Sequence, residues 1–218
     1  MKTKIVQLDL KDRDKLSKQV DDAAQIIKKG GVVAMPSETC YALAVNASNK
    51  QAVEKLFKIK ERPKDKPVPV VAADVRMIRE YAVLNEIGES IVRNFMPGPV
   101  TIVLEKKETT PDVLSIDGVA IRIAGHPFAR YVSQESEVAL TATSANTSGE
   151  DPIYNADALI KNFSGKVDMI VVAGNLPPII PSTMVDVRKN PPVLIRQGPV
   201  SFSEIMSQLK REGLVKEV

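Results

Sequence analysis

Apolar residues recur at Leu16, Val20, Ala23, Ala24 and Ile27, close to the 3.6-residue period of a helix that buries one face. Asp12 stands where an N-cap belongs, and Gly30 and Gly31 stop the run. Val32 to Met35 is then apolar without a break, the pattern of a buried strand. Ser48 or Asn49 opens a second helix with Val53, Leu56 and Phe57 inward, ended by Pro63. The run "VPVVAA" (68–73) predicts a strand, and Asp74 and Asn85 read as caps of two further helices. "MPGP" (96–99) breaks the pattern before two strands, "TIVLEKK" and "GVAIRIAG". Pro127 suits the first turn of a short helix. "VALTA", "VDMIVVAG", "TMVDV" and "PVLIR" predict more strands, and Ser201 with Glu204 forms a capping box before a helix through Ile205 and Leu209. This alternation predicts an α/β fold: a twisted, mixed and mostly buried sheet with helices on its faces.

The 218 residues carry no repeat, linker or low-complexity tract, so one domain over 1–218 is expected. No run approaches the ~20 apolar residues of a membrane span. The N-terminus is charged from the start, unlike a secretory signal, and a lone cysteine excludes an internal disulfide; a cytoplasmic protein is expected. Thirty basic and 27 acidic residues leave a net charge of +3, too even to argue for nucleic-acid binding but compatible with a local anion site.

Composition narrows the chemistry. One histidine, His126, and one cysteine, Cys40, exclude a Cys/His zinc cluster, and no metal site is predicted. There is no G-x-S-x-G elbow, no G-x-G-x-x-G and no G-x-x-x-x-G-K-[ST]. Without a His partner, Cys40 reads as a small wall residue, and His126, just before Pro127, as a capping or packing residue. What remains is cations and small hydroxyls at strand ends, an inventory suited to phosphoryl or nucleotidyl transfer. "KIKERPKDKP" places Lys58, Lys60, Arg62, Lys64 and Lys66 at alternate positions across a helix end. It is either a solvated basic helix end or, stiffened by Pro63 and Pro67, a cation row for polyphosphate. "TATSANTSG" (141–149) is either a polar turn or a ligand loop. Arg122 interrupts an apolar strand, which calls for a structural salt bridge or an anionic ligand.

"GGVVAMPSETCYALA", "KERPKDKP", "FMPGPVTIVL", "VAIRIAGHP", "TSANTSG", "STMVDV" and "VLIRQG" follow one another in the order seen in the YrdC-type threonylcarbamoyl-adenylate synthase family. The chain resembles that family over about residues 14–212. The resemblance implies a YrdC-like fold with a large concave basic cavity. It implies a nucleotidyltransferase that makes threonylcarbamoyl-AMP and pyrophosphate from L-threonine, bicarbonate or CO₂, and ATP, with Mg²⁺ on the phosphates. The product would pass to a transferase that modifies tRNA. The resemblance assigns no nucleophile or general base. It places Thr39, Tyr41, Arg122, Ala142 and Ser182 around threonine, and Lys60, Arg62, Lys66, Ser144, Asn146 and Arg196 around ATP, with Lys60 and Arg62 acting electrostatically.

The chain departs from the family pattern at six positions. Ala42 and Ala44 replace glycines, Val71 a frequent histidine, Thr143 a proline, Pro152 a serine and Pro181 a glutamate. These bear on substrate more than on fold. Longer members add a C-terminal domain, so a single-domain form is expected, with any lid over the nucleotide supplied from elsewhere. The alternatives are an RNA-binding module for tRNA or double-stranded RNA, and a carbamoyl-adenylate-forming relative. Only 4% of residues are aromatic, which leaves few base-stacking platforms for the former.

Overall fold

A computed structural model describes residues 2–63 and 66–216. In chain order the elements are β1 (Lys4–Gln7), α1 (Arg13–Lys28), β2 (Val33–Pro36), β3 (Tyr41–Ala44), α2 (Lys50–Lys60), β4 (Val70–Ala72), α3 (Val75–Tyr81), β5 (Ala82–Val83) and α4 (Glu86–Phe95). They continue with β6 (Val100–Lys106), β7 (Val119–Ile123), α5 (Pro127–Ser136), β8 (Leu140–Thr141), β9 (Thr143–Ser144), α6 (Ala156–Phe163), β10 (Met169–Val172), β11 (Thr183–Asp186), β12 (Val193–Arg196) and α7 (Phe202–Arg211).

The helix starts follow from side chains that satisfy otherwise orphaned backbone donors. Asp12 accepts from Lys15 N, Asn49 from Ala52 N, Asp74 from Met77 N, Asn85 from Gly88 N and Ser201 from Glu204 N. Gly30, at φ +77°, takes the left-handed conformation that lets the chain leave α1 and enter β2. His126 occupies the N-cap position of α5, but its side chain makes no capping bond; Pro127 at the first turn removes one of the donors a cap would serve.

The expected mixed sheet is divided in two. One sheet runs β1-β10-β2-β3-β9; the other runs β12-β11-β6-β7-β4-β8, with β5 paired to β6. Both contain parallel and antiparallel pairs. Strand alternation distributes side chains between two packed regions. Val33, Met35, Met169 and Val171 pack with α1 and α5, through Val20, Ile27, Phe128 and Val132. Ala34 and Ile170 face the larger core, which includes Leu56 and Phe57 of α2, Ile91 of α4, Leu159 of α6 and Ile205 of α7.

Five short elements, β1, β3, β5, β9 and α6, escape the sequence pattern. "VALTA" forms strand only at Leu140–Thr141, because the chain then leaves one sheet for the other. At the crossing Ala142 N donates to Pro69 O at 2.7 Å, and Thr143–Ser144 pairs with β3. The hydroxyl-rich stretch 141–149 therefore begins where the two sheets part, and that parting opens a cavity.

Candidate functional site

The cavity has a volume of about 520 Å³, in the usual range for a small-molecule site. Its walls come from both sheets and from the segment after α2. Thr39, Cys40 and Ala42 come from the β2–β3 turn and β3; Ala142, Thr143 and Ser144 from the crossing; Arg122 from β7; Ser182 and Arg196 from the β11–β12 side; and Arg62 from beyond α2. A further end, formed by Ser115, Asp117, Gly118, Met184 and Arg188, went unread in the sequence because no local pattern joins those residues.

"PSETCYALA" makes a four-residue turn, Ser37–Cys40, between β2 and β3. Ser37 braces it: Ser37 N donates to Cys40 O at 3.0 Å and Ser37 Oγ donates to the same carbonyl at 2.7 Å. Thr39 is held at the wall with its hydroxyl 3.3 Å from Ser37 Oγ. Cys40 lines the cavity as a small wall residue, and burial pushes its thiol up, away from a reactive thiolate.

Arg122 lies on β7 between Ile121 and Ile123, which face the larger core. Its own side chain faces the other way, onto the cavity wall, and its Nε stands 3.1 Å from Glu38 Oε1. Both readings of this arginine thus meet in one place: it has a carboxylate neighbour and it faces open space. Ser182 is fixed from two directions. Its Oγ is 2.8 Å from Thr101 Oγ1 and accepts from Arg196 Nη2 at 3.3 Å, while its carbonyl accepts from Arg196 Nε and Nη2 at 3.1 and 3.0 Å. Burial, then the nearby Arg122 charge, push the Arg196 guanidinium below its ordinary pKa. Arg62 Nη2 donates to Pro67 O at 2.7 Å, which ties its side chain to the loop that carries it.

Four residues expected at the site stand elsewhere. Tyr41 is fully buried in the larger core; its hydroxyl donates to Gly174 O at 2.7 Å and accepts from Ala173 N at 2.8 Å, so it anchors the 173–174 loop and does not line the cavity. Lys60 is buried behind the wall, where its Nζ donates to Ser144 O, to Asn146 O at 2.7 Å and to Asn146 Oδ1 at 3.4 Å. Asn146 is buried with it, accepts from Ser144 Oγ, and donates to Thr147 O and Glu150 O at 2.8 and 2.7 Å. Its side chain is occupied in shaping the loop. Lys66 is exposed and is not among the described lining residues; Lys64 lies outside the described residues. The alternating cation row is thus not one surface: Arg62 reaches the cavity and Lys60 points inward. Burial, then the Arg62 charge, push the Lys60 ammonium down to about 8.

Among the described residues no group of three or more His, Cys, Asp or Glu side chains is gathered to hold a metal ion. None of the described helices is long and apolar enough to cross a membrane.

A family profile, Sua5_yciO_yrdC, described as Telomere recombination, matches residues 25–198. The chain belongs to the Sua5/YciO/YrdC family. Similar relatives match the chain at moderate identity. A protein of Methanocaldococcus jannaschii named putative threonylcarbamoyl-AMP synthase is 32% identical over 205 residues, 94% of this chain and 98% of that one. The threonylcarbamoyl-AMP synthase of Pyrococcus abyssi is 36% identical over 186 residues, 84% of this chain and 55% of that one. The chain therefore spans about half the length of the latter relative and nearly all of the former. Among solved structures, P. abyssi Sua5 complexed with L-threonine superposes with a TM-score of 0.87 at 32% identity, over 96% of this chain and 61% of that one. YciO of Escherichia coli, at a TM-score of 0.81 and 21% identity over 93% of this chain and 98% of that one, shares the fold. Within this Sua5/YciO/YrdC chain the profile spans every cavity-lining residue named above, from Thr39 to Arg196.

Proposed function

We propose that this chain is a threonylcarbamoyl-AMP synthase, which joins L-threonine, bicarbonate-derived CO₂ and ATP and releases pyrophosphate. The observation that carries the reading is the cavity itself: Arg62, Arg122 and Arg196, with Arg188 at the further end, line with small hydroxyls a space between two sheets, in a chain whose relative of nearly equal length is named putative threonylcarbamoyl-AMP synthase. The reaction brings the threonine carboxylate, the newly formed carbamate and the ATP phosphates together, so binding and charge neutralisation are what the protein must supply.

The threonine amine attacks the carbon of CO₂ and loses a proton, giving a carbamate. A carbamate oxygen then attacks the α-phosphorus, and the bond to the leaving pyrophosphate breaks. Arg122 offers its planar fork to the threonine carboxylate, a two-point match that a lysine lacks. Ser182, fixed by Thr101 and Arg196, and Thr39 complete the amino-acid end. Arg62, from the segment after α2, and Ser144, from β9, meet the phosphates, with Arg196, bonded to Ser182, as a further nucleotide contact. Lys60 and Asn146 act one layer back by setting the Ser144 loop. Asp117 is the carboxylate on the described wall, and Arg188 holds it at 2.7 Å. Mg²⁺ would therefore arrive on the nucleotide's own phosphates, as part of the substrate. The mixed anhydride is reactive, and a tRNA threonylcarbamoyl transferase would consume it in the cytoplasm.

The test is pyrophosphate release from ATP with each substrate omitted in turn. Turnover that requires both bicarbonate and L-threonine is expected. Turnover without threonine, supported by carbamoyl phosphate, would assign a carbamoyl-adenylate activity instead. Salt-dependent RNA binding without turnover would assign an RNA-binding module.

The cation segment gives a second test. Arg62→Ala should weaken ATP binding by about 1.5–3 kcal/mol, the scale of a charge-assisted contact. Lys66→Ala should cost less than about 1 kcal/mol, since an exposed cation is screened by solvent. Calorimetric titration of both variants checks this; equal losses would mean a diffuse basic patch.

A further inference from the structure

All four buried side-chain polar atoms that lack a hydrogen-bond partner among the described residues belong to three neighbouring groups: both oxygens of Glu38, Nε of Arg122 and Nδ1 of His126. Unsatisfied buried atoms are costly and usually rare, and their collection at one place beside a cavity marks a site under constraint. Arg122 Nε and Glu38 Oε1 are 3.1 Å apart, yet no hydrogen bond joins them, so the pair is held by charge. The two side chains are only 9% and 17% exposed, which removes most solvent screening.

We propose that Glu38 is a positioning residue for Arg122: its carboxylate holds the guanidinium at Nε, from behind, so that the two terminal nitrogens face the cavity. Those terminal nitrogens make no hydrogen bond among the described residues, and Arg122 lines the cavity while Glu38 does not. The carboxylate is buried out of reach of a ligand, so its effect passes through the arginine. The turn that carries it is braced by Ser37, which limits how far Glu38 can retreat. Across from it, a Cβ at Gly125 would stand 3.9 Å from Glu38 Cβ and 3.5 Å from Gly98 Cα, so these two glycines leave the room in which the carboxylate sits. His126 lies close enough for the Glu38 charge to oppose the burial that pushes its imidazole below the usual pKa. Glu38 thus organises a buried charge cluster around Arg122, the β7 arginine that faces the ligand space.

This inference rests on the synthase reading, in which the ligand of Arg122 is the threonine carboxylate. The alternative for Glu38 is simple charge compensation, and it predicts the opposite sign. If Glu38 only dilutes the positive potential, its neutralisation should strengthen carboxylate binding. If it holds the fork in place, neutralisation should weaken it. The experiment is steady-state pyrophosphate release by wild type, Glu38→Gln and Glu38→Asp, with L-threonine and ATP varied separately and melting temperature recorded. Glu38→Gln keeps the shape and removes the charge. It should raise KM for L-threonine about tenfold or more, with kcat and KM for ATP within about twofold of wild type. Glu38→Asp keeps the charge at shorter reach and should lie between. An unchanged or lowered threonine KM in Glu38→Gln overturns the inference, as does an equal rise in both KM values. Should Glu38→Gln not fold, a wild-type threonine KM in Glu38→Asp overturns it. A wild type with no threonine-dependent turnover overturns the synthase reading itself, which keeps the two failures apart.

Discussion

Arg122→Lys is expected to give a folded protein whose KM for L-threonine rises about tenfold to a hundredfold while KM for ATP stays near wild type. The charge survives, so Glu38 keeps a counter-ion and the fold keeps its buried pair. What disappears is the planar fork, and a lysine ammonium cannot meet Glu38 behind and a carboxylate in front in the same geometry. Losing one charge-assisted contact of about 1.5–3 kcal/mol corresponds to that range. Arg122→Ala should behave differently. It strands the Glu38 carboxylate in a site where it has no hydrogen-bond partner, at a cost of about 3–5 kcal/mol of stability. Adding Glu38→Ala should restore most of that loss, because the stranded charge is then gone. Urea unfolding of the two single variants and the double variant measures the coupling; strictly additive losses would show that the pair does not interact.

Lys60→Met is expected to destabilise the protein by about 2–4 kcal/mol, by leaving buried carbonyl oxygens of the Ser144–Asn146 loop without their donor. The same ammonium is held by burial at a pKa of about 8 against the usual 10.5, so the sign of a pH effect can be fixed. Between those two values the unfolded chain binds more protons at this residue than the folded one, and stability from this group therefore rises with pH. Below about 8 both states carry the charge, and the folded state bears the full desolvation cost. The stability difference between wild type and Lys60→Met should widen from pH 8 toward 10.5, read from urea midpoints at several pH values. A difference that is flat or narrows would mean that Lys60 does not titrate in that window. ATP affinity should also fall in this variant, since the Ser144 loop loses its brace to the end of α2, where Ser148 N also donates to Lys60 O at 2.7 Å.

The sequence by itself determined every described helix but α6, and the main strands. Caps at Asp12, Asn49, Asp74, Asn85 and Ser201 act within three residues of themselves, so their meaning survives without tertiary context. The uninterrupted apolar runs at 33–35, 70–72 and 169–172 likewise announce buried strands wherever the sheet lies. The ordered motifs also picked out Thr39, Arg62, Arg122, Ala142, Ser144, Ser182 and Arg196, all of which the fold brings to one cavity. Lys60 was legible in principle: it continues the buried stripe Val53, Leu56 and Phe57, three residues after the last of them, and a cation on that stripe must find acceptors inside.

Tyr41 was not legible. A strand alternates its side chains, but which face meets a cavity and which meets the core depends on where the two sheets separate, and they do so at Ala142, about a hundred residues away in sequence. Glu38 is the sharpest case. It sits in a short polar turn with no periodicity, among residues that ordinarily face water. Its burial and its partner are set by β7, which is distant in sequence and belongs to the other sheet. Local patterns report what a residue does to its own backbone. Charge pairing across two sheets is a property of their packing, and only the tertiary structure decided it.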